Sequence, residues 1–162
     1  MGALATWLTA TVLPVPVWVV FLAWACSFLV GNGAGAVMRS VAANLTGVVV
    51  ATATLLVVTV GGGGELLLGF AVGLGSALMI ALSRFQVVAA APAIVLGFAC
   101  TVGTVAVLDV PVTDLSVSGP ALVAAFAVVV GGVFGFLSGR TATLLTRRRN
   151  NGEDPAVGGA TA

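Results

Sequence analysis

A series of long apolar stretches without a charged residue constrains this chain more than any other feature. An α-helix needs roughly 20 such residues to cross the ~30 Å hydrocarbon layer of a bilayer. Only 7% of the residues are charged, whereas a typical soluble domain carries about 25%. So few charges cannot cover the surface of a soluble globule. The chain is therefore predicted to be an integral membrane protein, and a soluble enzyme is nearly excluded.

The apolar stretches predict an all-α polytopic bundle of five to six membrane helices. Pro14 and Pro16 interrupt the first stretch, because proline removes a backbone donor and clashes with the preceding turn. We favour a short first helix and a break there, and the alternative is one kinked helix over 3–30. The tail at 150–162 is polar and predicted to be disordered. The helices are expected near 3–13, 16–30, 41–60, 66–83, 87–108 and 120–146.

The few charges divide cleanly between the predicted connections. Arginines follow the second, fourth and sixth helices, and the acidic residues Glu65, Asp109 and Asp114 follow the third and fifth. Excess arginine marks the cytoplasmic side of a membrane. The C-terminus is therefore expected in the cytoplasm, with the loops at 61–65 and 109–118 on the other side. The arginines concerned are Arg39, Arg84, Arg140, Arg147, Arg148 and Arg149.

Two windows of the sequence resemble each other. Ala25-Cys26-Ser27 in the second helix matches Ala99-Cys100-Thr101 in the fifth, and alanine pairs begin the Val-rich parts of the helices that follow. The two windows lie three helices apart along the chain, an odd number, so the halves would have opposite orientations in the membrane. We therefore predict two inverted-topology three-helix repeats, with the first helix short or truncated. Many transporters and channels are built in this way, with the site between the repeats.

The sequence resembles the small bacterial inner-membrane proteins grouped as domain of unknown function 1097. The stretch at 16–56, PVWVVFLAWACSFLVGNGAGAVMRSVAANLTGVVVATATLL, carries the resemblance, together with GFACTVGT at 97–104 and VVGGVFGFLSG at 129–139. The resemblance implies a bacterial inner-membrane protein with six helices in two related halves. It supplies no substrate or catalytic residue. The family has a full first helix where this chain has only 1–13, so the first helix is truncated or the true start lies upstream.

Mild polar side chains inside the helices are the candidate site residues. None is charged, which disfavours proton-coupled transport because such pumps need a titratable relay. Hydroxyls and one amide could instead replace the hydrogen bonds of a neutral solute in a pore. The alternative is that each hydroxyl bonds to its own helix backbone. The candidate pore-lining residues are Cys26, Ser27, Asn44, Thr46, Cys100, Thr101 and Thr104.

Other classes of function find little support in the sequence. Two cysteines without histidine are too few for a metal site, and a cysteine nucleophile would lack a base, so we expect no cofactor and no enzymatic activity. A net charge of +1 argues against nucleic-acid binding, which needs a basic face. The main hypothesis is a homo-oligomeric channel or facilitator for a small neutral solute. The alternative is a non-transporting membrane scaffold or regulatory partner subunit.

Overall fold

The computed structural model describes residues 2–31, 33–114 and 116–152, and this part of the chain is all-α. A 3-10 turn at Gln86–Val88 precedes the fifth α-helix. Four of the helices, α3 to α6, are long and apolar enough to cross a membrane. The chain is therefore a multi-pass membrane protein. Its six described α-helices are α1 (Gly2–Thr11), α2 (Val17–Leu29), α3 (Ala34–Val60), α4 (Glu65–Leu82), α5 (Ala91–Leu108) and α6 (Pro120–Gly152).

The first apolar stretch forms two helices with a break between them. Pro14 lies in the break, and Pro16 directly precedes α2 in an extended conformation. With 13 residues, α2 is about 20 Å long at 1.5 Å per residue. It is therefore shorter than the hydrocarbon layer.

Two helices depart from their predicted bounds. The third helix begins at Ala34 rather than near 41, because Gly33 at φ 95° completes the turn and leaves the residues after it free to enter the helix. Arg39 therefore lies inside α3 rather than at the end of a loop. The sixth helix continues to Gly152 and includes the basic segment 147–149. The rest of the predicted disordered tail, 153–162, lies outside the described residues.

The core of the bundle is formed by α2, α3, α5 and α6. The most extensive packing joins α3 to α5, and the next joins α2 to α6. Glycine permits both approaches: a Cβ atom at Gly47 would lie 2.6 Å from the Phe98 amide nitrogen, and one at Gly131 would lie 2.5 Å from the Val20 carbonyl oxygen. Close backbone packing of this kind joins helices in a bilayer, where the hydrophobic drive between them is missing.

The other two helices, α1 and α4, lie at the periphery. Only 11% of the apolar window of α4 is buried, whereas 39% is buried in α5. Gly75 and Met79 are its buried residues, and its exposed side chains include Phe70 and Leu74. Most of the α4 surface is therefore available to lipid or to another membrane helix.

Candidate functional site

A group of buried polar side chains lies where α2 meets α3. Ser40 and Asn44 are one turn apart on α3, and they are 0% and 1% exposed. The Asn44 side-chain nitrogen donates to the Ser40 carbonyl oxygen over 2.9 Å. The Cys26 thiol of α2 lies beside the Asn44 side chain. We call Cys26, Ser40 and Asn44 the polar centre.

The position of Asn44 differs from the one that the sequence suggested. With a helix starting near 41, Asn44 would lie close to the cytoplasmic end and could be solvated there. Because α3 begins at Ala34, Asn44 lies about 15 Å along the helix. It is also enclosed by α5, since a Cβ atom at Gly97 would lie 2.7 Å from the Asn44 carbonyl carbon.

Most of the other candidate residues satisfy their hydroxyls locally. Each hydroxyl donates to the carbonyl oxygen four residues earlier in its own helix, as in Thr104 to Cys100 over 2.7 Å. This arrangement was the alternative to a pore-lining role. The same bond is made by Ser27, Thr46 and Thr101.

The structure brings together only some of the predicted site residues. Cys100 on α5 is fully buried and lies in the neighbourhood of Cys26. Ser27 faces α6 instead, where its side chain packs against the backbone of Gly135. Thr46 is half-buried and lies two residues from Asn44, which places it on another face of α3.

A cavity of about 430 Å³ opens between the ends of α2, α3 and α6, and none of Cys26, Ser40 and Asn44 lines it. Ser27 lines the cavity and is 2% exposed, so it lies at the closed inner end. Around the mouth are Gly33, Ala34 and Arg140. The Arg140 guanidinium stacks 4.7 Å from the centre of the Phe136 ring. The next residue along α2 from the inner end is Cys26, which belongs to the polar centre.

A second cavity, of about 310 Å³, lies beside the α2–α3 connection. It is lined by Arg39 and by residues around the 3-10 turn, including Gln86 and Pro92. The first cavity brings Arg140 to the same connection. Arg39, Arg140 and the segment after α4 therefore lie at one end of the bundle. Neither cavity includes Asn44, Cys100, Thr101 or Thr104.

The chemistry available to this region is that of uncharged hydrogen-bonding groups. Within the described residues, no group of three His, Cys, Asp or Glu side chains is placed to hold a metal ion. Both cysteines are free thiols. The described Arg side chains, Glu65 and Asp109 are exposed, and Asp114 is half-buried in the α5–α6 loop. The polar centre can therefore bind neutral donors and acceptors, and nothing near it favours an ion.

Comparison with known proteins assigns the family. The family model described as "Protein of unknown function (DUF1097)" matches residues 1–143. The chain belongs to this family. Searches of curated proteins and of solved structures find no match. The DUF1097 assignment confirms the resemblance seen in the sequence and brings no functional residue with it.

Sequence reasoning missed Ser40, the residue that completes the polar centre. The third helix is predicted to begin near 41, so Ser40 lies outside every predicted helix. Its spacing from Asn44 was the available signal, because residues four apart share one face of a helix. Within a helix that starts earlier, the two side chains would have been grouped from the sequence alone.

Proposed function

We propose that this DUF1097 protein is a channel or facilitator for a small neutral solute in the bacterial cytoplasmic membrane, and that it has no enzymatic activity. The observation that carries the proposal is the cavity of about 430 Å³ between the ends of α2, α3 and α6, with the buried, uncharged Ser27 hydroxyl in its lining. A cavity that leads from one end of the bundle toward uncharged buried polar groups suits a solute that exchanges hydrogen bonds with water for bonds with the protein.

The absence of buried charge among the described residues narrows the solute class. Ionisable residues inside a membrane mark proton relays and ion pathways. The only buried titratable groups in the described bundle are the thiols of Cys26 and Cys100. A passive path for a neutral molecule agrees with this composition better than a proton-driven pump does.

Two inverted repeats, α1–α3 and α4–α6, form part of the proposal, and the helix crossings support them. A Cβ atom at Gly47 of α3 would meet Ile94 O and Phe98 N of α5, and one at Gly131 of α6 would meet Val20 O and Trp24 N of α2. Ile94 and Phe98 each lie 74 residues after Val20 and Trp24, the same offset that separates Cys26 from Cys100. In the proposed repeats, α2 corresponds to α5 and α3 corresponds to α6. The crossing of α3 with α5 is therefore equivalent to the crossing of α6 with α2.

The orientation follows from the arginine-bearing end of the bundle. The two cavities and the C-terminal end of α6 are at that end, and excess arginine marks the cytoplasmic side. We place the cavity mouth and the C-terminus in the cytoplasm. The solute would then enter the cavity from the cytoplasm, or leave through it, past Arg140.

The same proposal includes a homo-oligomer formed through α4. Gly69, Gly73, Ala77 and Ala81 recur every four residues, and all four are exposed in the monomer. Small residues at this spacing let helices approach closely in a bilayer. The exposed α4 face also favours a second candidate function, a non-transporting scaffold or regulatory subunit that binds a partner helix there.

Solute flux in proteoliposomes tests the proposal. Stopped-flow light scattering would measure permeability to water, glycerol, urea and small amides. Gly139 lines the cavity, and a Cβ atom there would meet nothing within 4 Å, so Gly139→Trp should fill the cavity without a backbone clash. We expect flux above that of empty liposomes in the wild type and a reduction of several-fold in Gly139→Trp.

The matched control is Gly35→Trp. Gly35 lies at the same end of the bundle, its Cβ position is equally open, and it does not line the cavity. This variant should keep wild-type flux. If folded, oligomeric wild-type protein gives no flux for any solute, the facilitator proposal fails and the scaffold function takes its place.

A further inference from the structure

Two oxygen atoms of the polar centre have no hydrogen-bond partner. The Ser40 hydroxyl and the Asn44 side-chain oxygen are both buried and unpaired. Among the other buried residues, the hydroxyls of Ser27, Thr54, Thr101 and Thr104 all bond within their helix. The half-buried residues Trp24 and Ser138 also hold a buried side-chain atom without a partner, but each lies outside the polar centre. Buried polar atoms in proteins nearly always have a partner, and where no protein group serves, an ordered water molecule does.

The two unpaired oxygens belong to one site because of how α3 holds them. They are four residues apart and therefore share a helix face. The Asn44 side-chain nitrogen donates one proton to the Ser40 carbonyl oxygen over 2.9 Å. This bond fixes the plane of the Asn44 side-chain amide, so the side-chain oxygen of Asn44 points away from the Ser40 carbonyl. The Cys26 thiol from α2 lies beside the same amide. On the α5 side, the backbone at Gly97 closes over Asn44.

The donors and acceptors define the ligand. Asn44 offers an acceptor oxygen, Ser40 offers a hydroxyl that can donate or accept, and Cys26 offers a weak donor. The nearest charged residue in sequence, Arg39, is exposed and lines the second cavity. The site suits a neutral molecule with O–H or N–H donors. Neither described cavity includes Ser40 or Asn44, so a ligand bound here would be no larger than a water molecule.

We propose that Ser40, Asn44 and Cys26 form a binding site for a single water molecule, and that the same groups bind the O–H or N–H donors of the permeating solute when the path is open. The second part rests on the proposed function, and the first does not. Ser27 at the inner end of the cavity is the neighbour of Cys26 in α2.

The experiment detects the bound water directly. Full-length protein with ¹⁵N-labelled asparagine would be placed in lipid nanodiscs, and NMR would measure cross-relaxation between water and the Asn44 side-chain amide protons. Asn44→Gln identifies the resonance. We expect a water cross-peak with the sign of a molecule that tumbles with the protein. It should be lost or strongly weakened in Ser40→Ala, which removes one of the two partners.

Ser76→Ala is the matched control. Its hydroxyl bonds to the Val72 carbonyl over 2.9 Å, so this change also removes a helical serine hydroxyl but leaves the site intact, and the cross-peak should remain. Absence of the cross-peak in the wild type overturns the site. So does a cross-peak that is unchanged in Ser40→Ala.

Permeability of the same variants separates this inference from the proposed function. A several-fold loss of water or urea flux in Ser40→Ala, with none in Ser76→Ala, supports the transport role of the site. A water cross-peak without flux in any sample supports the water site and overturns the proposed function. Flux without a cross-peak supports the proposed function and overturns the water site.

Discussion

Helices α4 and α5 have the same length and nearly the same mean hydropathy, but one lies at the periphery of the bundle and the other in its core. Each has 18 residues, their mean hydropathies are 2.0 and 2.1, and each carries small residues every four positions. In α5, Ala93, Gly97 and Thr101 are buried, and the backbone of α3 lies directly against Gly97. In α4, the corresponding residues face outward, and Gly73 has nothing within 4 Å of its Cβ position.

The difference shows what a stripe of small residues specifies. The pattern predicts that a helix can be approached closely, but it does not identify the partner. For α5 and α6 the partners are α3 and α2 of the same chain. No helix of the described chain packs against the small-residue stripe of α4, and we propose that a second copy of the protein does.

The largest expected effect comes from filling the crossing of α5 with α3. Gly97→Leu would force side-chain atoms into the Asn44 backbone. We therefore expect either loss of folded protein or a decrease in the free energy of unfolding that is at least as large as the roughly 1–3 kcal/mol typical of overpacked cores. Gly73→Leu makes the same change on α4 in open space and should leave the fold intact. Denaturant titration in mixed micelles, followed by tryptophan fluorescence, would compare them. Equal destabilisation of the two variants would contradict the distinction between a buried and an exposed stripe.

A smaller loss is expected from one added methyl group at each crossing. Gly47→Ala and Gly131→Ala should each cost roughly 1–3 kcal/mol, since both Cβ atoms would meet backbone atoms of the facing helix. The same denaturant titration measures both. Comparable losses would strengthen the inverted repeat. A large loss at one glycine and none at the other would argue against equivalent crossings.

The sequence predicted the helical architecture well and the boundaries near glycine poorly. Hydropathy and proline located the helices, because these signals depend on local chemistry. The start of α3 was misplaced because the glycine-rich segment 31–35 suggested a long loop. In fact the turn ends at Gly33, and the residues that follow join the helix.

The site was predicted only in part, for a tertiary reason. Asn44 stood out because an amide in an apolar helix needs partners, and Cys26 stood out through the repeat. Helical periodicity alone places Thr46 on another face of α3 than Asn44. Sequence could not tell that Cys26 lies beside Asn44, since that depends on how α2 packs against α3. Nor could it tell which hydroxyls bond within their own helix and which remain unpaired.

The exposed stripe of α4 gives the third prediction, which affects assembly rather than folding. Ala77→Leu should raise the fraction of monomeric protein several-fold, because a bulky side chain separates helices that meet through small residues. Fluorescence energy transfer between labelled copies in liposomes would measure the shift. Ala106→Leu, the same change at an exposed position of α5, is the control. If both variants stay as associated as the wild type, α4 is not the interface.

The smallest effect on stability is expected from a change in the loops that adjoin α4 and α5. These loops also differ between the two helices. Before α4 the chain turns through Gly62, Gly63 and Gly64, all with positive φ. After α5 the turn is held by a side chain, since the Ser116 amide donates to the Asp114 carboxylate over 2.8 Å. This bond keeps the pKa of the Asp114 carboxyl below its ordinary value of 3.8.

The sign of the pH dependence follows from that lowered pKa. The ionised carboxylate stabilises the loop above pH 3.8, and the stabilisation is lost as the pH falls through the folded-state pKa. We expect hydrogen exchange at the Ser116 amide to lose protection over that range in the wild type. In Asp114→Asn, the amide oxygen still accepts the bond but does not titrate, so this loss should be absent. A pH profile that is the same in both proteins would show that another group controls the loop after α5.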